Sequence, residues 1–245
     1  MRRALAWGTR AGAGALALGI VLLAQPAGLI AQSTHSDDVE RLNSASEVFQ
    51  QIMATPDKAI PQEILEGAQC IAIIPGMKKG AFVFGANYGK GVATCRAGAQ
   101  RGWGPPLFIT IGGGSWGLQI GAQSSDIVMV FGNRSQLNSL LSSKFRVGAE
   151  AAAAAGPVGR HVEAGTDIKL NSEILTYGRS KGAFAGISIS GAVVQPDTTG
   201  NEAMYGKHSN DQDILSGQGV TMPPAAQPLI KQLDTHPTTS PGAKG

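Results

Sequence analysis

Between Trp103 and Phe131 the chain reads WGPPLFITIGGGSWGLQIGAQSSDIVMVF, and its apolar residues recur with a period of two. Leu107, Ile109 and Ile111 alternate with Phe108 and Thr110. Trp116, Leu118, Ile120 and Ala122 then alternate with Gly117, Gln119, Gly121 and Gln123. Side chains that change face at each residue make half-buried strands, not helices. Gly112, Gly113 and Gly114 lie between the two runs and predict a tight reversal, since glycine reaches positive φ without steric cost. A third run, Ile127 to Phe131, follows the polar break Gln123 to Asp126, so the stretch predicts a β-meander with more sheet built onto it. The 34 glycines and few aromatics among 245 residues fit the same reading.

The first residues do not belong to that sheet. Arg2, Arg3 and Arg10 precede an apolar run from Ala11 to Ala24, then Pro26 and the small-residue site Ala31-Gln32-Ser33. This order predicts a secretory signal peptide over residues 1–33, and hence a periplasmic or extracellular protein. Its removal changes the charge argument, because the formal +3 equals the contribution of Arg2, Arg3 and Arg10. What remains is segregated. Residues 34–66 hold Arg41 and Lys58 against seven acids, whereas residues 67–190 hold twelve basic side chains against Asp126, Glu150, Glu163, Asp167 and Glu173. A surplus of that sign attracts anionic partners through its long-range field.

Export also allows a disulfide to persist, and the only cysteines are Cys70 and Cys95. They fall at the start of one predicted strand and the end of another, so a bridge between them depends on geometry that sequence does not supply. His161 is the only histidine of the sheet region, and no close Cys or His pair exists, which gives a metal site no ligand set.

Along the chain, Asp37 to Ala54 predicts an amphipathic helix with Leu42, Ala45, Phe49 and Ile52 on one stripe and Ser36 as its cap. A short helix carrying Ile64 and Leu65 follows Pro61 and ends at Gly67. Strands are expected at Cys70 to Ile74, Ala81 to Phe84 and Tyr88 to Arg96, with Lys78 and Lys79 on the turn Gly76 to Gly80. Arg134 to Ser142 predicts a helix across the sheet. Val147 to Gly165 is read as strand despite its five alanines, because Gly148, Gly156, Pro157 and Gly159 bound the run tightly. Further strands are expected at Ile168 to Tyr177 and Ala183 to Val194, and a helical turn at Asn201 to Tyr205. The fold class is therefore mainly β within α+β: one curved antiparallel sheet with a helical leader and short helices packed on it. The domain spans residues 34–206, with the leader over 34–67 and the β-rich core over 68–206. Residues 207–245, rich in proline, are expected to be mostly loose, although Ile214, Leu215, Leu229, Ile230 and Leu233 could dock a short helix.

Two catalytic motifs match on paper. Gly112, Gly114 and Gly117 fit G-x-G-x-x-G, and Ser115 fits G-x-S-x-G, with His161 and Asp126 or Asp167 to complete a triad. Both motifs need a helix directly behind the glycines. Leu118 onward alternates as a strand, so no catalytic residue, cofactor or enzymatic activity is expected.

Four segments in order, AQCIAIIPGMKKGAFVFGANYGKGVATCR, GWGPPLFITIGGGSWGLQIGAQSSDIVMVF, AGPVGRHVEAG and YGRSKGAFAGISISGAVVQPD, resemble the SYLF domain over about Pro56 to Gly206. That family is a lipid-binding module, also known for actin binding in its fungal members, and its bacterial members are exported. The resemblance implies binding of anionic lipid or a membrane surface. The first-hairpin lysine of the family matches Lys79, its arginine after the GPxG turn matches Arg160, and its basic pair before the final hairpin matches Arg179 and Lys181. With Lys78 these are the candidate phosphate contacts, since lysine offers a point charge and arginine a bidentate fork. The basic membrane-binding leader of some eukaryotic members is acidic here. A structural or protein-binding role in the cell envelope is the rival reading, and neither nucleic acid nor actin is expected as a partner.

Overall fold

The period-two runs do form strands, but the chain reverses at other places than the glycines suggest. The computed structural model describes residues 27–54, 59–81, 84–97, 102–116, 121–133, 145–146, 152–155, 173–180, 183–186 and 192–236. Two helices, α1 (Ala27–Met53) and α2 (Gln62–Gly67), precede the strands β1 (Cys70–Ala81), β2 (Phe84–Ala97), β3 (Gly102–Trp103), β4 (Leu107–Trp116), β5 (Gly121–Phe131), β6 (Phe145–Arg146), β7 (Ala152–Ala155), β8 (Glu173–Ser180), β9 (Ala183–Gly186) and β10 (Val193–Pro196). Then come α3 (Thr198–Tyr205), α4 (Asp211–Ser216), a 3-10 turn at Pro224–Ala226 and α5 (Gln227–Asp234). The sheet runs β6-β10-β4-β2-β1-β5-β8-β7, with β3 on β2 and β9 on β8. Its described pairings are antiparallel except β7 with β8. The α+β, β-rich class expected from the sequence is the one found.

The meander is not. β4 pairs with β2 and β10, and β5 pairs with β1 and β8, so the two runs of the opening stretch are not neighbours. Gly112, Gly113 and Gly114 lie inside β4, opposite Tyr88, Asn87 and Ala86. Glycine extends as readily as it turns, and ladder partners along β2 satisfy backbone groups that a reversal would leave to water. The polar break Gln123 to Asp126 is likewise continuous strand within β5. Ser115 lies within β4 and the next described element is the strand β5, so among the described residues it is not followed by the helix that a nucleophile elbow requires.

β1 also runs through its expected turn. From Ile73 to Lys78 it takes five steps where β2 takes four from Val92 to Tyr88, and from Ile74 to Met77 three where β5 takes two from Ile127 to Ser125. One extra residue is thus absorbed as a bulge against both neighbours. Gly76 takes it up at φ 55°, and its N–H donates to Asp126 Oδ1 at 2.9 Å. Lys78 and Lys79 are therefore strand residues, and the chain reverses between Ala81 and Phe84, where a strand was expected. Of the single strand expected at Ala183 to Val194, both described ends are strand, β9 joining β8 and β10 joining β4 and β6, and residues 187–191 lie outside the described residues. The alanines 152–155 do form a strand. The helix expected at Arg134 to Ser142 lies outside the described residues.

Both faces of the sheet are buried, which explains the unbroken apolar strings at Cys70 to Ile74 and Ile127 to Phe131. Ile71, Ile73, Val92, Phe108, Val128 and Tyr177 pack with Leu42, Phe49 and Ile52 of α1 and with α2 and α5. Ala72, Ile74, Ile109, Ile111, Met129 and Phe131 fill the other side with Ile214 and Leu215 of α4. Each such large side chain, fully buried, stabilises the fold by roughly 1.5–3 kcal/mol. Cys70 and Cys95 are directly paired across β1 and β2, with Cα atoms 4.0 Å apart, and form a disulfide.

Helix α1 starts at Ala27, so Ser36 is an interior residue and no cap, and the helix passes through the predicted cleavage site. Ala27 to Gln32 contains no breaker after its glycine, and nothing there ends a helix. The tail beyond Gly206, expected mostly loose, is helical at α4 and α5 and described to His236. Leu229, Ile230 and Leu233 bury one side of α5, as the docking alternative anticipated. Arg96 holds this segment: its Nε donates to Ala68 O at 2.9 Å, its Nη2 to His236 O at 2.8 Å, and its guanidinium lies 4.5 Å from the Trp103 ring centre.

Candidate functional site

Directly paired residues of a sheet share a face, and β2 carries Thr94, Val92, Lys90 and Tyr88 alternately on the side that α1 covers. Val92 lies under the helix. Lys90 and Tyr88 lie beyond it, with the Lys90 side chain 48% exposed and Tyr88 53% exposed, the most exposed large apolar side chain among the described residues. The bulge in β1 sets Met77 into the opposite core and so brings Lys78 to the face of Tyr88, its ladder partner. Lys78 is exposed, and its Nζ donates to Ser124 Oγ at 3.2 Å from the neighbouring position on β5. Among the described residues Lys78 has no acidic partner. Lys78, Tyr88, Lys90 and Ser124 thus make a basic ledge with one aromatic ring.

Arg179, two rungs away across β5, is used differently. Its Nε donates to Asp126 Oδ2 at 2.8 Å, and its Nη1 meets Gln51 Oε1 near the end of α1. Asp126 therefore receives both the bulge N–H and the arginine, and ties β1, β8 and α1 together. Of the basic residues expected from the sequence, the structure brings Lys78 and Arg179 to the two flanks of β5, one open and one engaged. Lys79 pairs with Asn87 and Gln123 in the ladder. Arg160 and Lys181 lie outside the described residues, as does His161.

At the other end of α1 sits a buried charge cluster. Arg41 Nη2 stands 2.9 Å from Asp38 Oδ1, and Arg41 Nη1 donates to Asp197 Oδ2 at 2.9 Å. Its guanidinium also lies 5.2 Å from the Phe108 ring centre. Lys90 Nζ approaches Asp197 Oδ2 at 3.4 Å, so the ledge and the cluster share one lysine. Gly200 permits the approach of α3, since a Cβ there would stand 3.1 Å from Asp38 Oδ1. Burial raises the Asp38 carboxyl above its usual range despite Arg41. Burial would raise Asp197 too, but the Arg41 hydrogen bond, the Gly200 N–H and the Arg41 and Lys90 charges outweigh it and hold that carboxyl low. Asn201 completes the join by accepting from Phe108 N–H at 2.8 Å and donating to Phe108 O at 3.0 Å.

Sequence reading missed Lys90 and Tyr88. The signal was present in the alternation of Tyr88, Lys90 and Val92, but only the position of α1 shows where the covered part of that face ends.

Fold and surface together define a β-rich α+β domain whose described charges either lock helices to the sheet or stand open on one strip of it. The chain belongs to the Ysc84 family, the SYLF domain proteins: the family model described as Las17-binding protein actin regulator matches residues 112–236. It is 32% identical to Protein YSC84 of Saccharomyces cerevisiae over 183 residues, which cover 74% of this chain and 38% of that protein. It is 30% identical to LAS seventeen-binding protein 3 of the same yeast, covering 74% and 39%. To SH3 domain-containing YSC84-like protein 1 of Bos taurus it is 30% identical, covering 74% and 52%. The chain thus spans about half the length, or less, of the curated relatives it matches.

Proposed function

We propose that this domain binds anionic phospholipid without enzymatic chemistry, through the ledge of Lys78, Tyr88 and Lys90. The observation that carries the reading is the exposure of two lysines beside a tyrosine on one sheet face. Lysine ammonium groups contribute about 1 kcal/mol each near an anionic membrane surface, and a tyrosine suits the boundary between water and lipid. Lys79, Arg160 and Lys181 belong to the same proposal as additional charges. The chain is taken to be exported, with residues 1–33 as its signal peptide, and to act in the periplasm or outside the cell. Actin is not part of the reading.

Co-sedimentation with phosphatidylcholine vesicles, with and without phosphatidylglycerol, tests it at low and high salt. Pelleting is expected only with the anionic vesicles and should weaken as salt screens the lysines. Equal pelleting with both, or none, would sink the reading. The family description and the name of one relative, LAS seventeen-binding protein 3, favour a second reading in which the domain holds a protein partner. A pull-down that survives detergent and high salt, with no lipid recovered by mass spectrometry, would support that one.

A further inference from the structure

We propose that this chain pairs with a second copy of itself, face to face about a two-fold axis parallel to α1, with the acidic outer side of each helix seated on the other copy's ledge. The proposal goes beyond the lipid reading and needs no membrane.

The outer side of α1 is acidic and uncovered. Glu40, Asn43, Glu47 and Gln50 are exposed along it, and Asp37 is exposed a turn earlier. Arg41, the only lysine or arginine from Ala27 to Met53, is turned inward to Asp38 and Asp197. Among the described residues no basic side chain forms an ion pair with Asp37, Glu40 or Glu47. One face of the sheet therefore presents an acidic helix beside a basic ledge. A second copy turned to face it offers the opposite sign at both places.

The shapes match as well. A helix with its side chains is about 10 Å across, so α1 stands on the sheet as a ridge and the ledge is the step at its foot. Arg41 reaches Asp197 at the end of β10, and Gln51 reaches Arg179 of β8, so the ridge crosses the strands that carry the ledge. A two-fold rotation about an axis beside α1 and parallel to it lays each ridge in the other's step, with both helices running the same way. Such a contact is self-complementary and closes at two copies.

Spacing sets the register. Glu40 and Glu47 stand about 10 Å apart along the helix. Lys90 follows Tyr88 on the same face of β2, and Lys78 lies opposite Tyr88 on β1, which puts the two lysine Cα atoms about 8 Å apart. Lys90 is level with Arg41 through the Asp197 they share, and Lys78 is one strand nearer Gln51. The second copy's Glu40 thus falls on Lys90 and its Glu47 on Lys78. Between those acids α1 shows solvent only the small Asn43 and Ser44, which leaves room for the Tyr88 ring. Tyrosine is favoured in such interfaces, and Tyr88 sits between the two lysines. Pairing and lipid draw on the same lysines, so they are alternative states of one surface.

Light scattering of the full chain during gel filtration reads the pairing. The mass of two chains is expected at low salt, falling toward one as salt screens the exposed charges. Glu47→Lys and Lys78→Glu, both at exposed positions away from the core and the buried cluster, each bring like charges together at both symmetric contacts. Each should weaken pairing roughly tenfold or more. Mixing the two variants sets opposite charges against each other again at both contacts, and should restore the mass of two chains. Association through the apolar run Ala11 to Ala24 would ignore both substitutions. A single-chain mass for the unaltered protein at low salt, variants that pair as it does, or a mixture that stays unpaired would overturn the proposal. No lipid enters these measurements, so the vesicle experiment decides the lipid reading separately.

Discussion

The two charged regions beside α1 use the same residue types to opposite ends. Around Arg41 the charges are buried and paired, with Asp38 and Asp197 on either side. Around Lys78 they are exposed, beside a hydroxyl and a tyrosine. Taking charge out of water costs several kcal/mol per ion, so a buried cluster persists only while each member keeps its partner. An exposed lysine pays no such penalty and keeps its charge for a ligand. Burial, not residue identity, separates the clasp from the ledge, and Lys90 stands between the two.

The sharpest way to break this contrast is Arg41→Ala. It leaves two buried carboxylates without their counter-charge and should destabilise the fold by about 3–5 kcal/mol, read as a lower urea midpoint. Vesicle affinity of the folded protein should stay as it was. Next in size, Lys78→Gln with Lys90→Gln should do the reverse: about 2 kcal/mol lost from binding to anionic vesicles, roughly thirtyfold, with the urea midpoint nearly unmoved. A large loss of stability in that pair would mean that the ledge is structural after all. Arg179→Gln sharpens the division within the basic residues themselves. Because Arg179 is engaged by Asp126 and Gln51 and is partly exposed, the change should cost about 1 kcal/mol of stability or less and leave vesicle pelleting intact.

The smallest effect concerns pH. Burial lowers the affinity of His236 for its proton, with Glu66 opposing and Arg96 assisting. The folded state therefore binds that proton less readily than the unfolded chain. Its contribution is present above about pH 6.5 and is lost as pH falls through the folded value. The urea midpoint should decline modestly between neutral and mildly acidic pH, and His236→Phe should flatten that decline. Asp38, whose carboxyl is held above its usual range, acts with the opposite sign, so comparison of the two proteins isolates the histidine.

Much of the fold was legible because local periodicity reports local structure. The strand runs at Leu107 to Ile111 and Ile127 to Phe131, the stripe of Leu42, Phe49 and Ile52, and the docking residues Leu229, Ile230 and Leu233 all emerge from spacing alone. The candidate site was legible only in part. Lys78 and Arg179 were singled out together, yet one is open and the other engaged, because their neighbours Ser124, Asp126 and Gln51 come from distant segments. Tyr88 and Lys90 went unnoticed because exposure of a strand residue depends on what packs over it.

Residue order by itself determined the strand runs at Leu107 to Ile111 and Ile127 to Phe131, the apolar stripe of α1, and where the surplus of positive charge falls, since these follow from backbone sterics and composition. Tertiary structure alone decided that Gly112 to Gly114 extend, that β5 lies across β1 from β2, and that one extra residue at Gly76 turns Lys78 to the side of Tyr88. Those outcomes depend on which strands come to lie side by side, and pairing between remote segments is settled by packing of the whole core, about which a local pattern carries no information.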